Sequence, residues 1–194
     1  LGAEQSGFMA SVGYDLYVKM IEETVREMRG DVSRGDVEAR VELKVDAYLP
    51  QEYVPSDVMR VEMYKKIASI RDRAGREDLI EELIDRFGDP NRPVMNLIEI
   101  AHLKALCSRL GIDNVSMKGS EMVLRFSIAA QLNPMKLLMA VKPHEARLRL
   151  VGTNPPALRF FDVKRKTAEE LLPEAVRVME DTLARMEGKE EVQA

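Results

Sequence analysis

The stretch Glu81-Glu82-Leu83-Ile84-Asp85-Arg86-Phe87-Gly88-Asp89-Pro90 joins a strong helical pattern to a clear helix end. At about 100° per residue, apolar side chains fall on one arc of this helix and acidic side chains fall on the opposite arc. The apolar arc contains Leu79, Ile80, Leu83, Ile84 and Phe87, and the acidic arc contains Asp78, Glu81, Glu82 and Asp85. Glycine at position 88 ends the helix, and proline at position 90 keeps it from resuming. The pattern therefore predicts a helix that buries its apolar arc and exposes an acidic face.

Two further helices are expected on either side of this acidic helix. Ser56 is a suitable N-cap for the first of them, and the charged run 71–76 is expected to separate it from the acidic helix. Gly111 is a suitable stop for the last of them. The three predicted helices span 57–70, 77–87 and 92–110.

The N-terminal third of the chain changes from a helical to a strand pattern. Residues 1–10 are expected to form an extended lead-in, and apolar residues recur every three or four positions over 11–30, which predicts a helix. A polar linker follows over 30–36. From Val37 to Ala47 apolar and charged residues alternate strictly, which predicts a half-buried strand.

The C-terminal half predicts two hairpins and two helices. The first hairpin pairs 115–117 with 122–128 around Gly119, and the second pairs the apolar alternation at 146–150 with 158–161. The first helix of this half starts at Asn133-Pro134 and ends near Val141, and the second starts at a Thr167–Glu170 capping box and runs toward Gly188, with Pro173 expected to kink it or reset its first turn. The chain is therefore predicted to be an α+β protein with a small, mostly antiparallel sheet packed with several amphipathic helices.

Composition narrows the classes of function. Hydrophobic residues make up 45% and charged residues 32% of the 194 positions, which is typical of a soluble globular domain. The net charge of −4 disfavours a nucleic-acid-binding surface and favours a basic protein partner. A single cysteine, no apolar run of ~20 residues and no signal peptide indicate a cytoplasmic location. The chain begins at Leu1 rather than Met, so it is expected to be a piece of a longer protein.

Motifs for catalysis, cofactors and metals are not found in the sequence. No glycine-rich phosphate loop is present, and His102 and His144 do not stand at ligand spacing from Cys107, which is expected to be a small core residue. We therefore expect no cofactor, no metal, no small-molecule substrate and no enzymatic activity. The basic residues Arg159, Lys164, Arg165 and Lys166 allow a phosphate contact, although a solvated approach to the last helix is the favoured interpretation.

The segment Glu82–Gly88 closely resembles the C-terminal domain of bacterial transcription-repair coupling factors. Similar segments follow in the same order through nearly the whole chain: Leu1–Gly7, Val12–Tyr17, Leu49–Pro55, Tyr64–Ala68, Leu110–Ile112, Asn133-Pro134 and Arg165–Thr167. The short turn Gly88-Asp89-Pro90 departs from the family, whose members often carry a longer loop there.

This resemblance implies a cytoplasmic, multidomain, ATP-dependent DNA translocase that displaces stalled RNA polymerase and recruits the excision-repair protein UvrA. Residues 1–30 would be the tail of the motor lobe and a connecting helix, 31–188 the regulatory domain, and 189–194 a frayed tail. In the family this domain docks on the N-terminal module, which resembles UvrB, and covers the surface that UvrA uses. RNA polymerase and DNA are contacted by other domains, so this domain would be a non-catalytic autoinhibitory clamp.

The resemblance also implies an interface. Family members use two acids of the motif to hold arginines of the N-terminal module, which carries over to Glu82 and Asp85, and their i, i+3 spacing puts both on one helix face. Asp78 and Glu81 are secondary candidates. Other interpretations are that these acids only keep the helix soluble, or that Glu82 only pairs with Arg86 one turn later. An accessory nucleic-acid-binding domain and a hydrolase of unrecognised type are the alternative functions.

Overall fold

The computed structural model describes residues 37–162, 164 and 166–188, so the predicted helix over 11–30, the lead-in, the proposed boundary near 30 and the tail 189–194 lie outside the described residues. The described elements are β1 (Arg40–Glu42), α1 (Asp57–Ala68), α2 (Arg73–Phe87), α3 (Arg92–Leu110), β2 (Ile112–Lys118), β3 (Glu121–Phe126), α4 (Pro134–Val141), a 3-10 turn (Lys142–His144), β4 (Leu148–Val151), β5 (Ala157–Phe160) and α5 (Ala168–Glu187). The predicted α+β class is confirmed.

The five strands form one sheet in the order β1-β2-β3-β5-β4. β1 runs parallel to β2, and the remaining neighbours are antiparallel, so the sheet is mostly antiparallel as predicted. Both predicted hairpins are present, and Gly119 turns the first of them at a φ of 64°. Its second strand ends at Phe126 rather than at Ile128, which is 87% exposed.

The predicted strand over 37–47 is wrong in length, because only three of its residues pair with β2. Burial nevertheless alternates beyond the paired residues, from Ala39 at 1% exposure to Ala47 at 7%. Leu43 packs against residues around the sheet, whereas Val45 packs against residues around α1 and α2. The segment leaves the sheet edge and crosses from one group of buried residues to another. The alternation therefore reflects side-chain packing and not a ladder of backbone hydrogen bonds.

Local signals place most helix ends where the sequence predicts them. Ser56 caps α1, α3 has the predicted bounds and stops at Gly111 with a φ of 78°, and Thr167 and Glu170 cap each other's backbone in a capping box. α5 continues through Pro173, so this proline does not reset the helix. The predicted start of α2 is wrong by four residues, because the Asp72 side chain accepts a hydrogen bond from the Gly75 amide at 2.9 Å and begins the helix at Arg73.

Two groups of buried residues form the core. The first, called the sheet cluster, comprises Ala39, Leu103, Leu106, Cys107, Leu110, Ile112, Val115, Met122, Leu124, Phe126, Leu137, Val141, Leu148, Leu158, Phe160, Leu171, Leu172, Ala175, Val176, Val178, Met179 and Leu183. The second, called the helical cluster, comprises Ala47, Leu49, Val54, Met63, Ile67, Ile70, Leu79, Leu83, Val94, Leu97 and Ile98. Because α3 contributes its first half to the helical cluster and its second half to the sheet cluster, it joins the two.

None of the helices within residues 37–162 and 166–188 combines the length and the apolar character needed to cross a bilayer.

Candidate protein-interaction site

The acidic helix α2 is attached to the domain by a narrow apolar stripe. Leu83 is fully buried and Leu79 is 6% exposed, and both belong to the helical cluster, against which Ile80 and Phe87 also pack. Ile84, predicted to be buried with them, is 43% exposed, so that part of the prediction is wrong. The helical wheel gives the direction of each side chain, but how much of the arc is covered depends on the neighbouring helices. Here they leave Ile84 at the surface.

The C-terminal end of α2 is held by several contacts. Gly88 has a φ of 82°, and its amide donates to the Ile84 carbonyl at 2.9 Å. The hydroxyl of Tyr53 donates to the carbonyls of Gly88 at 2.8 Å and Leu83 at 3.4 Å. The Tyr53 ring lies 5.9 Å from the ring of Phe87, centroid to centroid. The short turn Gly88-Asp89-Pro90 is therefore tied to the loop before α1.

Glu82 is bound within the domain. The Lys66 ammonium on α1 donates to both oxygens of the Glu82 carboxylate, at 2.6 and 2.8 Å, and the Arg86 guanidinium donates to Oε1 at 2.7 Å. Glu62 on α1 completes the network, at 3.5 Å from Lys66 and 3.3 Å from Arg86. The hydrogen bond from Lys66, followed by the one from Arg86, lowers the pKa of Glu82 below its ordinary value of 4.5.

The pair between Glu82 and Arg86, weighed at the sequence level as an alternative interpretation, is therefore present in the structure. It does not remove Glu82 as an interface candidate, because the Glu82 side chain keeps 30% of its surface exposed. A surface carboxylate that already holds two cations can exchange one of them for a cation of a partner.

Three other acids of α2 differ from Glu82. Asp78, Glu81 and Asp85 are exposed, and within the part of the chain that the structure describes none of them has an ion-pair or hydrogen-bond partner. Asp85 follows Glu82 by three residues, so both lie on one face of the helix. The face thus presents one carboxylate that is engaged within the domain and one that is free of described contacts, with Ile84 beside them.

Sequence reasoning did not identify Lys66 as part of this face. Lys66 follows the buried Met63 by three residues and precedes the buried Ile67 by one, so it flanks the stripe of α1 that faces the core. That position was a usable signal, because a long cation beside a buried stripe often meets a neighbouring helix. The sequence did not show which helix that would be, since the packing of α1 against α2 is a tertiary property.

Two of the four basic residues near the start of α5 are paired with acids in the part of the chain that the structure describes. Lys166 lies 2.5 Å from Glu174 and 3.5 Å from Asp162, and Arg159 lies 3.4 Å from Glu121. Lys164 is exposed, and Arg165 lies outside the described residues. The described pairs agree with a solvated approach to α5.

The two histidines and the cysteine are buried on α3 or bonded to an acid. His102 and Cys107 are buried on α3, and His144 bonds Asp181 at 2.6 Å. No three His, Cys, Asp or Glu side chains among residues 37–162, 164 and 166–188 are grouped to hold a metal ion. An open surface pocket of about 560 Å³ lies between the first turns of α3 and α5, where Arg92 pairs with Glu169 at 3.0 Å.

Comparisons with known proteins agree with this architecture. A sequence profile of the TRCF domain matches residues 43–137. A crystal structure described as the C-terminal domain of transcription-repair coupling factor superposes with a TM-score of 0.69 at 30% sequence identity, over 81% of this chain and 99% of that one. The chain belongs to the TRCF domain family.

Longer proteins of the TRCF family align over much of the same region. The transcription-repair-coupling factor of Staphylococcus epidermidis is 34% identical over 188 residues, and that of Staphylococcus haemolyticus is 33% identical over 187. The Staphylococcus aureus protein is 37% identical over 135 residues, which cover 69% of this chain and 12% of that protein. The alignments cover 95% of this chain but only 16% of the Staphylococcus epidermidis protein, so the chain spans a small part of the curated relatives that it matches.

Proposed function

We propose that this TRCF domain is a non-catalytic, autoinhibitory protein-interaction domain. It docks through the acidic face of α2 on the N-terminal UvrB-like module of the same parent protein and thereby masks the surface that UvrA uses. The parent is a cytoplasmic DNA translocase that couples transcription to nucleotide excision repair, and its other domains contact DNA and RNA polymerase.

The observation that carries this proposal is the contrast within α2 between a fixed backbone and exposed acids. Leu83 and the Tyr53 contacts at Gly88 hold the helix in place, while Asp85 faces solvent without a described partner. Carboxylates fixed in this way are suited to charge-assisted hydrogen bonds with arginine. Because an exposed ion pair contributes only ~0–1 kcal/mol, a few such bonds close an interface that still opens.

The first test is a calorimetric titration of this 194-residue chain with the purified UvrB-like N-terminal module. Asp85→Asn removes the charge and nearly preserves the shape, so we expect binding to weaken roughly fivefold, which corresponds to about 1 kcal/mol. Asp113→Asn, the same change on β2 of the sheet, is the matched control and should leave the affinity unchanged. Equal affinities for the native chain and the Asp85→Asn variant would contradict the proposed interface.

A second measurement addresses masking in the intact parent. The double change Glu82→Ala with Asp85→Ala weakens the internal docking, so we expect more UvrA to bind to the parent protein in a pull-down with purified components. The Asp113→Asn parent serves as the control. Unchanged UvrA binding would refute the autoinhibitory role even if the isolated domain binds the module.

A further inference from the structure

The packing of α1 against α2 places an internal cation on one of the two predicted interface acids. The helices run antiparallel, since Glu62 meets Arg86 while Lys66, one turn further along α1, meets Glu82 one turn earlier on α2. Lys66 contacts both oxygens of Glu82. An arginine from a partner that binds Glu82 must therefore share this carboxylate with Lys66 or displace it.

Lys66 and Arg86 hold Glu82 in different ways. The Arg86 guanidinium carbon lies 5.1 Å from the centre of the Phe87 ring, so Arg86 is also held by its neighbour on α2. Lys66 is the more exposed of the two, at 41% against 28% for Arg86. Its ammonium is a point charge on a flexible stem, whereas an incoming guanidinium binds a carboxylate through two parallel hydrogen bonds. Lys66 is thus the cation that an arginine displaces.

We propose that Lys66 is an internal competitor of the docking partner, because it occupies Glu82 in the undocked domain and so limits how tightly the acidic face of α2 binds. This proposal rests on the proposed function. Asp85 makes the first contact, since it has no described partner, and Glu82 joins only as Lys66 leaves. The docking contact is therefore weaker and more easily reversed than it would be if the carboxylates of both Glu82 and Asp85 were free.

The test compares two neighbouring lysines of α1. Lys66→Met keeps the apolar stem and removes the ammonium, so we expect the UvrB-like N-terminal module to bind about threefold to fivefold more tightly, on the scale of one exposed ion pair. Lys65→Met is the matched control, because Lys65 is exposed and has no partner among the described residues. It removes the same charge from the same helix and should change the affinity less than twofold on that scale.

A double variant separates competition from a general charge effect. In a Glu82→Gln background, Lys66→Met should no longer tighten binding, since the contested carboxylate is gone. Carbon-13 NMR titration provides a readout without the partner: the pKa of Glu82 should rise toward its ordinary value of 4.5 in the Lys66→Met chain and stay lowered in the Lys65→Met chain.

Each outcome has a defined meaning. Equal effects of Lys65→Met and Lys66→Met, or an effect of Lys66→Met that persists with Glu82→Gln, would overturn the competition. If Asp85→Asn weakens binding while Lys66→Met leaves it unchanged, the competition is overturned and the docking function stands. If neither the native chain nor the Lys66→Met variant binds the module, both proposals are overturned.

Discussion

The helical cluster and the sheet cluster differ in size. Twenty-two buried residues form the sheet cluster and eleven form the helical cluster. Around the helical cluster, ion pairs link α1 to α2 through Lys66 and Glu82 and link α2 to α3 through Arg76 and Glu99. Ion pairs also lie around the sheet cluster, where Arg109 on α3 meets Glu187 on α5 at 2.5 Å. The larger apolar region is the body of the domain, and the smaller one is a support for the acidic face.

The difference shows how a domain of this size combines stability with a reversible surface. Apolar burial stabilises in proportion to the area removed from water, so the sheet cluster carries most of the folding free energy. Ion pairs at partly exposed positions add little but specify which side chains face each other. Three tests address this comparison, and they are given from the largest expected effect to the smallest.

The largest effect is expected from removing buried leucine side chains. Leu124 lies in the centre of the sheet and Leu83 on α2, and both are fully buried. Leu124→Ala should lower the free energy of unfolding by about 4 kcal/mol and Leu83→Ala by about 3 kcal/mol, because the smaller cluster relaxes more easily around a cavity. Urea unfolding followed by circular dichroism measures both values. A larger loss for Leu83→Ala would contradict the assignment of the sheet cluster as the main source of stability.

An intermediate effect is expected at the link between α2 and α3. Arg76 pairs with Glu99, whose side chain is only 8% exposed. Arg76→Met leaves that carboxylate largely buried without its cation and should cost about 3 kcal/mol in urea unfolding. Arg73→Met removes an arginine whose pair with Glu77 is exposed, and should cost under about 1 kcal/mol. Similar losses for the two variants would mean that the Arg76–Glu99 pair is no more important than a surface pair.

The smallest effect is expected at His102, where α3 faces both α2 and α5. Neither ring nitrogen has a hydrogen-bond partner among the described residues, and Glu180 Oε1 lies 3.4 Å from Nε2. Burial, followed by the charge of Arg76, lowers the pKa of His102 from 6.5 to about 4, while Asp72 opposes and Arg109 adds to this shift. Burial also raises the pKa of Glu180, so the contribution of Glu180 to stability changes with pH in the direction opposite to that of His102.

Above pH 6.5 this histidine is neutral in both states. As the pH falls from 6.5 toward 4 only the unfolded state binds a proton, so the stability present at higher pH is lost. Between pH 7 and pH 5, His102 should account for a loss of about 2 kcal/mol. His102→Leu should reduce the difference between urea unfolding at these two pH values by that amount. A pH dependence identical to that of the native chain would show that His102 is solvated in the folded state.

The residues that cap the helix ends could be predicted from the sequence, but the burial of side chains by neighbouring helices could not. The ends of α3 and the capping box of α5 depend on residues within one turn of each other, so adjacent letters of the sequence contain the necessary information. The exposure of Ile84 and the bond from Lys66 to Glu82 depend on how α1 and α3 lie against α2. The strand predicted over 37–47 was too long for a related reason, since alternation indicates which side chains are buried and not which backbone groups pair.

The resemblance to a family predicted which acids form an interface, but it did not predict the contacts that these acids make within the domain. Both Glu82 and Asp85 stand on the face where they were expected, yet the carboxylate of one is bonded within the domain and that of the other is not. Two acids that look equivalent in a motif therefore differ in their contacts within the domain. That difference arises from Arg86 on the same helix and from Lys66, sixteen residues earlier, on α1.

The single cysteine of the chain can report opening of the core without any substitution. Cys107 is fully buried in the sheet cluster, and burial raises the pKa of its thiol well above the ordinary value. An alkylating reagent therefore reaches this sulfur only in molecules whose sheet cluster has opened. The rate of alkylation, measured by mass spectrometry, therefore reports how often the sheet cluster opens. A separation of α1 from α2 that leaves the sheet intact does not change this rate.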